Sequence, residues 1–234
     1  MNTNELIITS LLKKDCHFSE SQEKIGGFIS EAMLKDPELK ALHAKERIYK
    51  GYVFSNFYPL GEQGVYKSGQ IYVWRIRAIS LSLLKKIKVC ITKLNSPFIK
   101  VIATEIKTSP QKHISELYTI NPTILTLKNN QPFLPNSNIS LLINTIQGNL
   151  EKKYKYFIDQ NVEFGFPFIR YIKILNKKPI KIRYKNMSML GNKVKIQVSE
   201  DEGSQKLAQI AVNCGINEKN SILGCGFVFA NFTY

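Results

Sequence analysis

Along this chain, apolar periodicity alternates between the two-residue repeat of a strand and the 3.6-residue repeat of a helix. The order of that alternation limits the possible folds more than any single residue does. Glu5 to Lys13 reads as a strand. Ser19 and Gln22 form a capping box, followed by Ile25, Phe28, Ile29, Ala32 and Met33 at helical spacing. Asp36-Pro37-Glu38 starts a second, short helix that runs to about Lys45. Gly51 to Phe57 and Gln70 to Ala78 are strands, Ser80 to Lys93 is helical, and Pro97 to Thr108 is a strand. After a proline-marked polar stretch the order recurs. Ile114 to Leu127 is strand-like, with Phe133-Leu134 pairing back on it. A long helix, Asn136 to Tyr156, carries Leu141, Leu142, Thr145 and Leu150 on one side. Phe168 to Ile174, Ile180 to Lys185 and Lys193 to Val198 are strands, Gly203 to Asn213 is a helix, and Phe227 to Phe232 is the closing strand.

Strand, helix, strand, strand, helix, strand is the split βαβ, ferredoxin-like arrangement, and it fits this chain twice. The expected class is α+β: two tandem ferredoxin-like (RRM-like) domains with antiparallel sheets, residues 1–112 and 113–234. A chain of 234 residues that is 44% apolar has enough apolar surface for two such cores.

The formal net charge is +15, from 33 Lys and Arg against 18 Asp and Glu, which implies a polyanionic partner. Between Phe164 and Ser199 there are nine basic residues and no acidic one: Arg170, Lys173, Lys177, Lys178, Lys181, Arg183, Lys185, Lys193 and Lys195. In the last of these strands Val194, Ile196 and Val198 alternate with Lys193 and Lys195, which puts both lysines on the outward face. Such a surface fits RNA or DNA better than a membrane. No run of 18 apolar residues is present, and the N-terminus lacks the basic-then-apolar pattern of a signal peptide. The four cysteines are scattered and no Cys-x-x-Cys occurs. His17, His43 and His113 lie far apart, so neither a metal site nor a cofactor is expected. Reduced cysteines fit a cytoplasmic protein.

Near the C-terminus, Gly215, Gly224 and Gly226 bracket a polar loop containing Lys219, Asn220 and Ser221. Glycines with a lysine suit a phosphate-holding loop, and those six residues are candidate RNA contacts. The segment is not a Walker motif, because no Gly-Lys-Ser/Thr ends it.

Three segments, taken in order, resemble the CRISPR-associated endoribonucleases of the sixth Cas family, in the repeat-associated RNA-binding (RAMP) superfamily. They are Tyr52 to Pro59 with Gly69 to Arg77, Ile120 to Thr126 with Asn149-Leu150-x-x-Lys153-Tyr154, and the Gly215 to Val228 loop. Asn217 stands where that family commonly has a second glycine, and Cys225 where it has Phe or Tyr. The resemblance implies metal-independent cleavage of precursor CRISPR RNA within its repeats. The 2′-OH attacks the phosphate and leaves 2′,3′-cyclic phosphate and 5′-OH ends. It implies repeat RNA as partner, with subunits of a CRISPR effector complex as further partners, and leaves monomer and homodimer both open. The alternatives are a non-catalytic RNA-binding subunit of such a complex and a generic RRM protein.

The family's histidine lies near the end of the first helical region, which here is His43, flanked by Lys40, Lys45, Arg47 and Lys50. An imidazole near neutrality suits general acid–base work, and a lysine suits charge on the phosphorane. The candidate catalytic set is His43, Lys45, Lys50 and Tyr49, with Arg47 as a further RNA contact. Neither His17 nor His113 has so dense a basic neighbourhood.

Overall fold

The computed structural model describes residues 1–127 and 130–232. Its first part runs β1 (Thr3–Leu12), β2 (Cys16–His17), α1 (Phe18–Met33), α2 (Pro37–Ala44), β3 (Tyr52–Phe54), β4 (Val65–Tyr66), β5 (Ile71–Ala78), α3 (Leu81–Lys93) and β6 (Ile99–Ser109). The second runs β7 (Ile114–Thr119), α4 (Ile139–Phe157), β8 (Ile169–Ile174), β9 (Ile180–Tyr184), β10 (Met187–Gly191), β11 (Val194–Val198), α5 (Glu202–Cys214), α6 (Asn220–Leu223) and β12 (Val228–Phe232).

Two four-stranded antiparallel sheets result, ordered β3-β5-β1-β6 and β12-β7-β11-β8. Each places its first strand between its third and fourth, the ferredoxin-like order, so the expected class is observed twice. Alternation along β1 turns Leu6, Ile8 and Leu12 inward. They pack with Trp74 and Ile76 against Ile25 and Ile29 of α1 and Leu84 and Ile87 of α3. Trp74 is fully buried, and its Nε1 donates to Ser10 Oγ at 3.2 Å. The second core joins Leu117, Ile196 and Val228 of the sheet to Ile146 and Leu150 of α4 and Leu207 and Ile210 of α5.

Several boundaries differ from expectation. Ser19 does not cap α1. His17 does, with its ring nitrogen accepting from Ser19 N. Gln22 turns inward instead and donates to the Leu223 carbonyl at 2.6 Å. A partner far along the chain has displaced the local capping box. The strand beginning at Ile114 ends at Thr119. Beyond it, buried Asn121 donates through Nδ2 to the carbonyls of Phe54 (3.0 Å) and Gly224 (2.8 Å), so this segment bridges instead of laddering. Phe133 does pair back, donating to Leu125 O at 3.0 Å. The long helix starts at Ile139, capped by Asn138, after a turn in which Ser137 N donates to Leu134 O. Its buried stripe is Leu142, Ile146, Leu150 and Lys153, with Leu141 exposed and Thr145 half-buried. The hairpin partner Met187–Gly191 carries no strong strand signal in sequence.

The two halves interlock. Arg77 is buried, donates to Glu5 Oε1 (2.7 Å) and to Val228 O (2.6 Å), and lies over the rings of Phe227 and Phe229. The β9–β10 hairpin reaches back to α1, where Arg183 pairs with Glu20 and Lys185 N donates to Glu23. Among the described residues, no helix is long and apolar enough to cross a membrane.

Candidate active site

The largest concentration of expected site residues surrounds a pocket of about 610 Å3. One wall is the segment after α2. Asp36 caps that helix, accepting from Glu38 N (3.0 Å) and Leu39 N (2.9 Å), and Pro37 opens it, so His43 falls in its last turn. The chain then leaves the helix through exposed Lys45, Glu46 and Arg47 and returns toward β3. Lys50 Nζ donates to the His43 carbonyl at 2.8 Å and closes that return. The His43 imidazole is held below its ordinary pKa, first by desolvation and then by the Lys50 charge. At neutral pH it is therefore a free base. Lys50 is itself lowered by burial. Tyr49 is half-buried, edge-on to Tyr156 with ring centroids 5.7 Å apart, and burial raises its hydroxyl pKa. It is thus a packed neutral phenol.

The opposite wall is the glycine-rich loop with Lys219, Asn220 and Ser221, beside Asn149 and Lys153 of α4. Gly224 has φ +63°, and a Cβ there would overlap the Phe54 carbonyl of β3. Gly26 of α1 lies against the Ile222 carbonyl in the same way. Only glycine permits these two approaches, which press α6 between α1 and β3. Asn217 has φ +54°, the left-handed conformation expected of a residue in a glycine's place.

Gly215, Gly224 and Gly226, expected to contact RNA, are buried against the protein itself, where they shape the loop. Asn220 is likewise committed inward. Its Nδ2 donates to the carbonyls of Ile216 (2.9 Å) and Cys225 (2.7 Å). Of the loop's expected contacts, Lys219 and Ser221 line the pocket with side chains not tied up in these bonds.

Sequence reasoning missed Lys153. It is 1% exposed, and its Nζ donates to Gly215 O (2.8 Å), Asn217 O (3.2 Å) and Asn220 Oδ1 (2.7 Å). Burial brings its pKa down to about 8. The signal was present, because a lysine three residues after Leu150 continues the apolar stripe of α4. A charged residue at a core position is the informative exception. Lys45, Arg47, Lys50, Lys153 and Lys219 against Glu46 and Glu218 give the pocket five cations and two carboxylates. Glu218 is engaged by Thr126 Oγ1 at 3.3 Å. Asn149 and Asn217 each bring to this wall a buried side-chain oxygen with no protein hydrogen-bond partner. Among the described residues, no three His, Cys, Asp or Glu side chains cluster as metal ligands would.

The stretch with nine basic residues is less bare than it reads. Arg170 pairs with Glu200 at 2.8 Å, Arg183 with Glu20, and Lys195 with Glu116 at 2.8 Å. Each carboxylate comes from outside the stretch. Lys173 and Lys181 remain exposed, Lys185 lies over the Tyr184 ring, and Lys193 is half-buried, with its pKa lowered by desolvation. The inward alternation of Val194, Ile196 and Val198 is as expected. Strand register also lines up Phe229, Tyr118, Lys195 and Lys173 across the outer face, a row that no single segment of sequence reveals.

These are the features of a double ferredoxin-like protein with a basic, histidine-bearing pocket, and known structures share the architecture. One described as CRISPR associated protein Cas6 superposes with a TM-score of 0.73 at 18% identity, covering 98% of this chain and 99% of that one. A second, described as a RAMP protein binding different RNA substrates, gives 0.73 at 15% identity over 97% and 99%. A third, a Cas6-related gene product from Pyrococcus furiosus, gives 0.71 at 16% identity over 98% of each chain. No family model and no curated protein matches the sequence. The fold is therefore the one found in Cas6 and RAMP proteins.

Proposed function

We propose that this protein is an endoribonuclease that cuts precursor CRISPR RNA within its repeats without a metal ion. The observation that carries the reading is the meeting of His43 and Lys50 with the glycine-rich loop around one cationic pocket. His43, neutral at pH 7, takes the proton of the 2′-OH. The 2′-oxygen forms a bond to phosphorus while the bond from phosphorus to the 5′-oxygen breaks. The 5′-oxygen takes up a proton from water as it leaves as a hydroxyl, and a 2′,3′-cyclic phosphate remains. Lys45 and Lys50 offset charge on the phosphorane, and Tyr49 fixes the wall beside it. Arg47, Lys219 and Ser221 contact the RNA here. Lys173 and Lys193 extend the contact over the second sheet and Lys181 and Lys185 over the β9–β10 hairpin, as do Arg170, Arg183 and Lys195 once RNA competes with their carboxylates.

We place the domain boundary at 112/113, in the short connection between β6 and β7, and the protein in the cytoplasm. The fold shared with a RAMP protein described as binding different RNA substrates supports an RNA partner. The test is incubation with labelled repeat RNA in excess EDTA. Cleavage leaving a 5′-OH is expected, blocked by 2′-deoxy substitution of the nucleotide 5′ of the cut while binding persists. Strict dependence on a divalent cation would overturn the mechanism. Tight binding without any cleavage would make the protein a non-catalytic subunit instead.

A further inference from the structure

We infer that Lys153 is a positioning residue. From inside the core it ties carbonyls of the glycine-rich loop inward, away from the side on which the pocket would meet an RNA phosphate. The inference rests on the RNA reading of the pocket.

Among the described residues, no carboxylate pairs with Lys153. Its three protons go to three neutral oxygens, Gly215 O, Asn217 O and Asn220 Oδ1. A buried ammonium held by dipoles alone keeps its field, and Lys153 lines the pocket. The third of these oxygens passes the constraint on, because Asn220 spends its Nδ2 on the carbonyls of Ile216 and Cys225. Two side chains thus bind four loop carbonyls. A carbonyl left on the pocket side would repel a phosphodiester, and withdrawing all four removes that repulsion. Lys219 and Ser221 then stand on the pocket side, beside a Glu218 carboxylate that Thr126 already engages. Local sequence does not favour this loop conformation, since Asn217 and Lys219 both sit at positive φ. The Lys153 and Asn220 bonds offset that cost.

The test uses the whole protein and repeat RNA from the host's own array, 2′-deoxy at the cut so that binding is read alone. Lys153→Met keeps the length of the side chain and loses the ammonium. It is expected to weaken RNA binding about tenfold, as loss of charge-assisted hydrogen bonds does. Amide exchange is expected to rise in 215–226 and not in β1 or β7. Lys153→Ala supplies a readout that mere structural damage would not give. Added n-butylammonium restores its RNA affinity, whereas n-butanol, which fills the same space without charge, does not. Wild-type affinity in folded Lys153→Met, or equal rescue by the alcohol, would overturn the assignment. Should both variants fail to fold, Asn220→Ala breaks the same chain of bonds from its outer end, and unchanged affinity there would overturn it as well. Wild-type protein that binds no repeat RNA would instead remove the RNA reading and, with it, this role for Lys153.

Discussion

The two walls of the pocket are built on opposite principles. The wall carrying His43 is a short helix end and an exposed return, held by one helix cap and one lysine-to-carbonyl bond. The facing wall is a loop whose glycines are buried and whose carbonyls are tied to a lysine inside the core. The first keeps reactive groups accessible and gives them little support. The second has nothing reactive and is over-determined. A cationic site needs both, since an accessible base works only against a phosphate held still.

Changes on each wall are expected to have different consequences. His43→Ala has the largest effect, a cleavage rate lower by roughly 10²–10⁴ with RNA affinity nearly unchanged. A comparable loss in His17→Ala or His113→Ala instead would move the reaction elsewhere. On the opposite wall Gly224→Val is expected to cost about 1–3 kcal/mol from backbone strain alone, before its overlap with Phe54. Melting temperature and RNA affinity then fall together. A stable Gly224→Val protein would mean that this wall is not over-determined. Away from the pocket, Lys173→Glu is expected to flatten the salt dependence of RNA binding by up to about 0.7 log units for each phosphate it ceases to neutralise. Lys195→Glu is expected to do less, because Lys195 is already paired with Glu116. Equal slopes for the two variants would remove that distinction. The smallest effect concerns protonation. A base acts in its neutral form, so cleavage rises with pH through the His43 pKa, which desolvation and Lys50 hold below the ordinary histidine value. Lys50→Met removes the second cause, so the acidic limb of the pH–rate profile moves toward higher pH while the plateau falls. A limb that stays in place would show that the two groups are not coupled.

The two walls also differ in how far the sequence reveals them. Asp36, Pro37 and His43 lie within one helix, so local rules locate them. The Lys153 wall joins residues 62 to 67 positions apart, and nothing near Lys153 names its acceptors. The same distance explains the basic strands. Their alternation was legible, but the carboxylates of Glu20 and Glu116 that neutralise part of them arrive from other elements. The ferredoxin-like order was legible twice because it depends on periodicity. The cap of α1 was not, since Gln22 serves a carbonyl 201 residues away.

Arg77 fixes a property of the whole molecule. It joins Glu5 of one sheet to the β12 backbone of the other, while the β9–β10 hairpin grips α1 from the far side. The second half cannot lose its structure without stripping a partner from the buried Arg77 guanidinium of the first. Both sheets, joined by only four residues, 110–113, are therefore expected to unfold as one unit. A calorimetric scan is expected to show a single transition, and Arg77→Met is the change that would split it in two.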